Sequence, residues 1–405
     1  MKFSTMAPLR LKKREDIRIK QGHVWIYSNE IDVKITPLSS FQPGQLVQIQ
    51  DTQSHILGLG YVNPQTLLCA RLLTRRTDIA IDSDFFISRI QRALKLREQL
   101  FDQPFYRLIY GEGDELPGLI IDRYGDYCVI QITTAGMEAL KEILLSALIA
   151  VLKPNAVLWR NDHAMRQLEG LPEYVTSAFG DFPPEITLIE NHIPFITSAW
   201  TGQKTGWFYD HRNNRAQLKH YVSGKRVLDL FSYVGGWGIQ AAVLGAKEVL
   251  AIDSSAEALE KLQQNAKLNQ VEDRVRTLKG DVFDQLKILI EQQTAISADQ
   301  KTFDVIVLDP PALIKKRKDH TLGFIAYKRL NEMALRLLNP GGFLISASCS
   351  QHLSLDEFRQ LLLASALKTG RHVQLLSTGA QGADHPLHLA IPEMNYLKTL
   401  FCHVT

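Results

Sequence analysis

The spacing of apolar and polar positions changes twice along the chain. Up to about Arg76 the two kinds alternate in short runs: LVQIQ behind a Pro-Gly turn, then HILGLGYVN and TLLCARLLT. Period-two runs separated by turn residues predict strands, here a small β-barrel with only a short helical turn around 12–20. From Asp84 the period lengthens. FFISRIQRALKLREQLF has apolar residues at 86, 87, 90, 94 and 100–101, the pattern of an amphipathic helix. YRLIYGEGDELPG then reads as loop, LIID and YCVIQIT as strands around a Tyr-Gly-Asp turn, 137–151 as a helix and VLWR as a strand. Pro183-Pro184 and ITLIENHIPFITS lead out as a hairpin connector, at about 186–200.

From about Gly202 strands and helices alternate. RVLDLF (226–231) runs into a glycine loop and a helix; EVLAI (248–252) precedes a helix at 255–268; VRTLK follows. FDVIVL (303–308), a helix at 322–338, FLISAS (343–348), a helix at 354–369 and VQLLS complete the series. Continuously apolar strands suit a parallel sheet covered on both faces. The expected fold is therefore α/β: a C-terminal doubly wound, Rossmann-like sheet preceded by the β-barrel and a central α+β domain. The expected boundaries are 1–76, 77–185 and 186–405. QQTAISADQK (292–301) reads as a loose loop.

Length and composition add limits. The 405 residues suit two or three domains, and 45% hydrophobic with 22% charged residues is globular, not fibrous or disordered. No apolar run is long enough for a membrane span, and MKFSTMAPLRLKKRED has no apolar block before a small-residue cleavage site. A cytoplasmic setting is expected. The four cysteines are scattered without a CxxC pair, so neither a metal cluster nor a disulfide framework is expected. The net charge of +3 is uneven: residues 1–76 carry eleven Lys and Arg against five Asp and Glu. A basic front end suits an anionic polymer, although a solvated charged face has the same composition.

Candidate chemistry gathers at the strand ends. In VLDLFSYVGGWG (227–238) a strand opens through glycines into a helix, where backbone N–H groups can approach a ligand. Gly236, Gly238 and Ala241 also satisfy G-x-G-x-x-A, so this loop alone does not separate NAD from S-adenosylmethionine. Asp253 ends the next strand and can accept ribose hydroxyls. Asp281 follows the third, where a carboxylate could meet an adenine amine, and Asp309-Pro310-Pro311 follows the fourth. Each aspartate taken singly also suits a turn or helix N-cap. Together with the loop they make the constellation expected of class I methyltransferases. Cys349 ends the next core strand, in SASCSQH, and could be a nucleophile or a small buried apolar group. Cys69, Cys128 and Cys402 lie in apolar strands and read as core.

GQKTGWFYDHRNNR (202–215), LDLFSYVGGWG, IDSSAEALEKLQQNAKLN, FDVIVLDPPAL, LLNPGG, SCSQH and ADHP (383–386) resemble the ribosomal large-subunit RNA methyltransferase I family. GHVWIYSNEI (22–31) resembles the start of its PUA domain, and GEGDELPGLIIDRYGD (111–126) its central domain. The resemblance spans nearly the whole chain. It implies methylation of carbon 5 of a cytosine in 23S rRNA, with S-adenosylmethionine as cofactor. Cofactor contacts would come from Lys204, Phe208, Asp210, Arg212, Phe231, Gly235, Gly236, Asp253, Asp281, Asp309 and Pro310, and catalysis from Cys349 and Asp309. Ala312 and Leu313 stand where many RNA cytosine-5 methyltransferases carry a second cysteine.

Two basic groups are candidate RNA contacts: Arg10, Lys12, Lys13 and Arg14 at the front, and Lys315, Lys316, Arg317 and Lys318 behind the Pro-Pro turn. Trp25 and Tyr27 are candidates for base stacking. The partner implied is 23S rRNA or its precursor, with no membrane and no metal; a homodimer stays open. Rival readings are methylation of a base or protein nitrogen, a non-catalytic RNA-binding assembly factor and, last, a nicotinamide oxidoreductase.

Overall fold

The computed structural model describes residues 6–295 and 303–405, grouped into two compact units. The first takes the chain up to Ile186 with Ser198–Tyr209 and Ala383–Pro392. The second takes Thr187–Thr197, Asp210–Gly382 and Glu393–Thr405. Of the loose loop expected at 292–301, residues 292–295 close a helix and the rest lies outside the described residues.

The first unit holds two five-stranded sheets. In one, β1 (Ala7–Arg10), β2 (Trp25–Ile26), β3 (Gln45–Gln50), β4 (Ile56–Val62) and β5 (Ala70–Thr74) lie in the order β1-β3-β4-β5-β2, with β1 parallel to β3 and the other pairs antiparallel. Val47 and Ile49, alternating with glutamines, join Leu9, Leu11, Ile26 and Val62 in its core. The short turn expected near 12–20 is the helix Asp16–Lys20.

The other sheet runs β10 (Tyr174–Phe179), β9 (Ala156–Asn161), β8 (Tyr127–Ile132), β7 (Leu119–Tyr124), β6 (Phe105–Tyr110). YRLIY, expected as loop, is β6. Arg107 breaks its apolar pattern, but the guanidinium meets the fully buried Asp122 through two 2.8 Å hydrogen bonds. Helix Ser83–Leu100 is capped by Asp82 and turns Phe86, Ile90 and Ala93 into the core. The helix expected at 137–151 is two, Ala135–Ala139 and Lys141–Leu152. The returning segments dock on the same buried charges. Thr205 donates to Asp122 at 2.5 Å, Asp384 accepts the Arg107 N–H at 3.1 Å, and Arg97 bridges Asp114 (2.6 and 2.7 Å) and the Asp384 carbonyl (3.0 Å). Carboxylates of GEGDELPGLIIDRYGD and ADHP thus anchor segments far apart in the chain.

The second unit opens with a hairpin, β11 (Ile186–Glu190) and β12 (Ile193–Thr197), turned by Asn191 and His192 at positive φ. Its main sheet has seven strands: β13 (Arg226–Leu230), β14 (Glu248–Asp253), β15 (Val275–Lys279), β16 (Phe303–Leu308), β17 (Leu338–Ser348), β18 (Val373–Gly379) and β19 (Lys398–Val404). Their order is β15-β14-β13-β16-β17-β19-β18. The first five are parallel, and β19 runs antiparallel to both neighbours. The strand around Cys402 is this β19, inserted between β17 and β18. Leu228, Leu230, Ile306, Leu308 and Leu344 are fully buried beneath helices that contribute Leu330, Phe358 and Leu361. The chain order reverses between β13 and β16, and ligands bind at the carboxyl ends of strands at such a switch point. No described helix is long and apolar enough to cross a membrane.

Candidate active site

The loop leaving β13 is bent through left-handed backbone. Phe231, Tyr233 and Gly235 have φ of 63°, 49° and 92°. For the two non-glycine residues this left-handed backbone costs about 1–3 kcal/mol each. A Cβ at Gly235 would sit 2.6 Å from Ile239 and 2.9 Å from Leu262, so the position admits no side chain. Hydrogen bonds offset the strain: Asp253 accepts the N–H of Tyr233 and of Ser255, both at 2.9 Å, and Asn265 donates to the Val234 carbonyl at 3.0 Å.

Asp229, inside β13, was not among the expected site residues. One carboxyl oxygen accepts the Gly238 N–H at 2.8 Å; the other is buried with no hydrogen-bond partner. Burial, with the Asp309 and Asp253 charges adding to it, pushes this carboxyl up to about 8. A folded-state value above the ordinary one gives stability present below about pH 4 and lost as pH rises through 8. Asp229→Asn keeps the acceptor for Gly238 and removes the titration. The urea midpoint of the parent chain should therefore fall more between pH 5 and pH 8 than that of the variant; parallel pH profiles would refute this assignment.

Asp309 follows β16 with its side chain one-fifth exposed. Trp237 Nε1 donates to one oxygen at 3.0 Å and His211 Nε2 lies 3.2 Å from the other. Burial alone would raise the carboxyl, but His211 and Trp237 outweigh it and hold Asp309 below the ordinary carboxylate value. Asp309 is ionised at neutral pH and fixed in orientation.

Cys349 follows β17 and is half-buried, its Sγ 3.9 Å from the Pro310 carbonyl oxygen, whereas Cys69, Cys128 and Cys402 are buried. Burial pushes the thiols of these three up to about 12. The two loops are tied by Tyr327. Its hydroxyl accepts from Ser348 Oγ at 3.0 Å and lies 2.9 Å from Ser350 Oγ, which accepts the Ile314 N–H at 3.1 Å. The serines flanking Cys349 thus lock it to the Asp-Pro-Pro turn. Behind them Lys398, at the start of β19, donates at 2.7 Å to the carbonyls of both Ser350 and Leu353.

The other expected residues are placed as follows. Gly235, Asp253, Asp309, Pro310 and Cys349 gather at the switch point. Asp281 is exposed and caps the helix that follows, accepting the N–H of Phe283 at 2.9 Å and of Asp284 at 3.3 Å. Asp210 is buried and accepts from Tyr396 Oη at 2.5 Å. Arg212 and Arg215 are buried beside Glu190, which also accepts from Gln240. Lys204 and Phe208 belong to the first unit, the ammonium 4.6 Å from the ring centroid. Lys12, Lys13 and Arg14 are exposed, Lys12 donating to the Asn29 carbonyl; Arg10 is partly buried on Gln50, Thr52 and Ser54. Lys315, Lys316, Arg317 and Lys318 are all exposed. Trp25 is half-buried and donates to Glu112. Among the described residues no cluster of His, Cys, Asp and Glu could hold a metal.

This sheet order, with a strained glycine loop and strand-end acids at its switch point, is the class I S-adenosylmethionine-dependent methyltransferase fold. Two solved structures share it over 98% of this chain and all of theirs, at 20% identity: a protein from Streptococcus mutans described as a SAM-dependent methyltransferase (TM-score 0.81), and a methyltransferase complexed with SAH (TM-score 0.82). Residues 9–75 match the PUA-like domain, and 215–374 match the model called conserved hypothetical protein 95. Full-length relatives are more specific. The proteins named ribosomal RNA large subunit methyltransferase I from Cronobacter sakazakii and Aliivibrio fischeri are 35% and 36% identical over 401 and 399 residues, 98% and 97% of this chain and 99% and 98% of theirs. The chain belongs to the ribosomal RNA large subunit methyltransferase I family.

Proposed function

We propose that the protein methylates carbon 5 of a cytosine in 23S rRNA through a covalent adduct on Cys349. At the coarser level it is an S-adenosylmethionine-dependent methyltransferase of large-subunit ribosomal RNA, as its family membership supports. The residues fit the cofactor. The unpartnered, buried oxygen of Asp229 offers an acceptor for an amino group beside the glycine loop. Asp253 keeps lone pairs beyond its two backbone bonds for ribose hydroxyls, and Asp281 is exposed for the adenine. Bound there, S-adenosylmethionine supplies an electrophilic methyl group.

Carbon 5 of cytosine is too weak a nucleophile to take that methyl group unaided. The Cys349 thiolate adds to carbon 6, and the electrons of the ring double bond move onto carbon 5. Asp309, held by His211 and Trp237, is ready to accept a hydrogen bond from the exocyclic amine, and from the ring nitrogen once that nitrogen takes up a proton as charge shifts onto the ring. After methylation the carbon 5 proton leaves to a base, the double bond re-forms and the carbon–sulfur bond breaks, freeing the thiolate. The single observation that carries this reading is Cys349: the one cysteine among the described residues that is not buried, placed against Pro310 of the Asp-Pro-Pro turn. Incubating the protein with methyl-labelled S-adenosylmethionine and deproteinised 23S rRNA, then digesting, should yield labelled 5-methylcytidine; another labelled nucleoside rejects the reading.

We assign RNA capture to the PUA-like segment, 1–76, and to the lip of the active site, leaving 77–185 as the α+β connector and 186–405 as the methyltransferase domain. An open pocket lined by Arg317, His320, Gln351, His352, Ser354 and Glu357 adjoins both the Cys349 loop and the exposed cations. Changing Lys315, Lys316, Arg317 and Lys318 together to Gln should weaken rRNA binding and flatten its salt dependence by about 0.7 in log–log slope per lost phosphate contact. Cofactor affinity should not change. A salt titration of RNA binding with an unchanged slope would remove this segment from the interface.

A further inference from the structure

We propose that the buried Lys398 ammonium is the counter-charge that holds Cys349 in its reactive thiolate form. The inference rests on the reading of Cys349 as nucleophile. Lys398 is only 7% exposed, and its Nζ is held by two neutral carbonyls, of Ser350 and Leu353, at 2.7 Å each. Among the described residues it forms no ion pair with a carboxylate. A buried ammonium without a counter-charge is costly, and lysines are seldom left so. The strand register explains what it faces. Lys398 pairs with Ser348 across β17 and β19, so the amine lies beneath the turn that begins at Cys349. Both carbonyls it binds belong to that turn, one directly after the cysteine.

Lys398 interacts with Cys349 and, across the helix Leu355–Thr369, with Glu357; Tyr327, from helix His320–Leu337, also feels Cys349. Asp309 stands next to Pro310, whose carbonyl oxygen lies near Sγ. Burial, only partly offset by the charges of Cys349 and Glu357, pulls the Lys398 ammonium down to about 8. Coupling between two sites is reciprocal: whatever thiolate does for ammonium, ammonium does for thiolate. A cation beside a cysteine lowers the pH at which its thiolate forms. The carbonyl pair fixes the amine so that it cannot leave for solvent, and the same amine is in place to receive the thiolate when the carbon–sulfur bond breaks. Lys398 is therefore a positioning residue, acting through Cys349 and touching neither base nor cofactor.

The test is the pH profile of iodoacetamide alkylation at Cys349 in the full-length protein, read on the Cys349 peptide by mass spectrometry. Lys398→Met should move the alkylation midpoint up by about one pH unit, a roughly tenfold loss of thiolate at neutral pH. Lys398→Arg, which keeps the charge, should restore most of it. The two profiles should converge above pH 9, where the parent amine has also lost its proton. Should Lys398→Met not fold, Cys349→Ser reads the same coupling from the other side: without the thiolate, the Lys398 titration followed by ε-13C-lysine NMR should move to lower pH. An unmoved midpoint in folded Lys398→Met, or an unmoved lysine titration in Cys349→Ser, overturns the proposal. Neither readout requires turnover, so a wrong assignment of Cys349 as nucleophile would show instead as surviving 5-methylcytidine formation in Cys349→Ser.

Discussion

Cys349→Ala is expected to reduce RNA methylation by at least ~10³-fold while leaving cofactor affinity and the fold unchanged. The side chain is half-buried, with its Sγ 3.9 Å from the Pro310 carbonyl oxygen, so truncation to alanine removes one sulfur atom and opens little space. The glycine loop and the acids beside it hold together without the sulfur. The loss must then appear in kcat, with the cofactor dissociation constant unmoved. A second measurement reads the adduct itself. RNA carrying 5-fluorocytosine at the target accepts the thiolate and the methyl group but has no carbon 5 proton to lose, so the thioether persists. The parent chain should give a complex stable to denaturing gels and Cys349→Ala none. Methylation that survives in Cys349→Ala, with label on an exocyclic amine, would transfer the site to nitrogen chemistry and end the covalent reading.

The sequence showed most clearly what local pattern controls. β13, β14, β16 and β17 are buried on both faces and read as apolar runs; the Gly235 loop is legible because no other residue fits its backbone. β6 was not legible, because Arg107 belongs in a strand only once Asp122 is opposite it, fifteen residues away. The place of β19 was not legible either. Its apolar run marks a strand, but insertion between β17 and β18 is a matter of long-range pairing. The site divides the same way. Cys349 and Asp309 announce themselves at strand ends. Trp237 and His211 become partners of Asp309 only across 72 residues or more of chain, and Tyr327 and Lys398 reach the Cys349 turn from a helix and a strand with no motif of their own. Asp229 could have been found: a carboxylate inside an apolar strand, nine residues before the glycine whose N–H it accepts, is a burial cost that calls for an explanation.

The resemblance carries the family, and residues it names for the cofactor also have partners within the fold. Arg212 matches the motif, yet its guanidinium is buried beside Glu190, which also takes Arg215 and Gln240. Asp281 matches as well, and its observed work is to cap a helix. A short motif can be retained for packing and for ligand contact at once, and only variants separate the two.

Asp309→Asn is expected to lower kcat by about 10²–10⁴-fold, with a smaller rise in the cofactor dissociation constant. The carboxylate takes a hydrogen bond from Trp237 Nε1 on one oxygen and faces His211 Nε2 with the other. An amide has only one acceptor. If its oxygen stays with Trp237, its NH₂ must face His211, which can accept only through an unprotonated nitrogen; if it turns, two N–H groups collide at Trp237. Either arrangement removes the negative charge that His211 and Trp237 hold below the ordinary carboxylate value. On the proposed reading that charge accepts from the exocyclic amine and the protonated ring nitrogen as the adduct forms, so the loss falls on the transition state more than on binding. The pH profile supplies the sign. Because the folded-state value is depressed, ionised Asp309 is present through neutral pH and is lost only as pH falls through that lowered value, so activity of the parent should persist well into the acid range on this group's account. In Asp309→Asn the residual rate should show no acid limb from position 309. A variant that keeps parental kcat would remove Asp309 from the chemistry and leave it as a fixed anchor for His211 and Trp237.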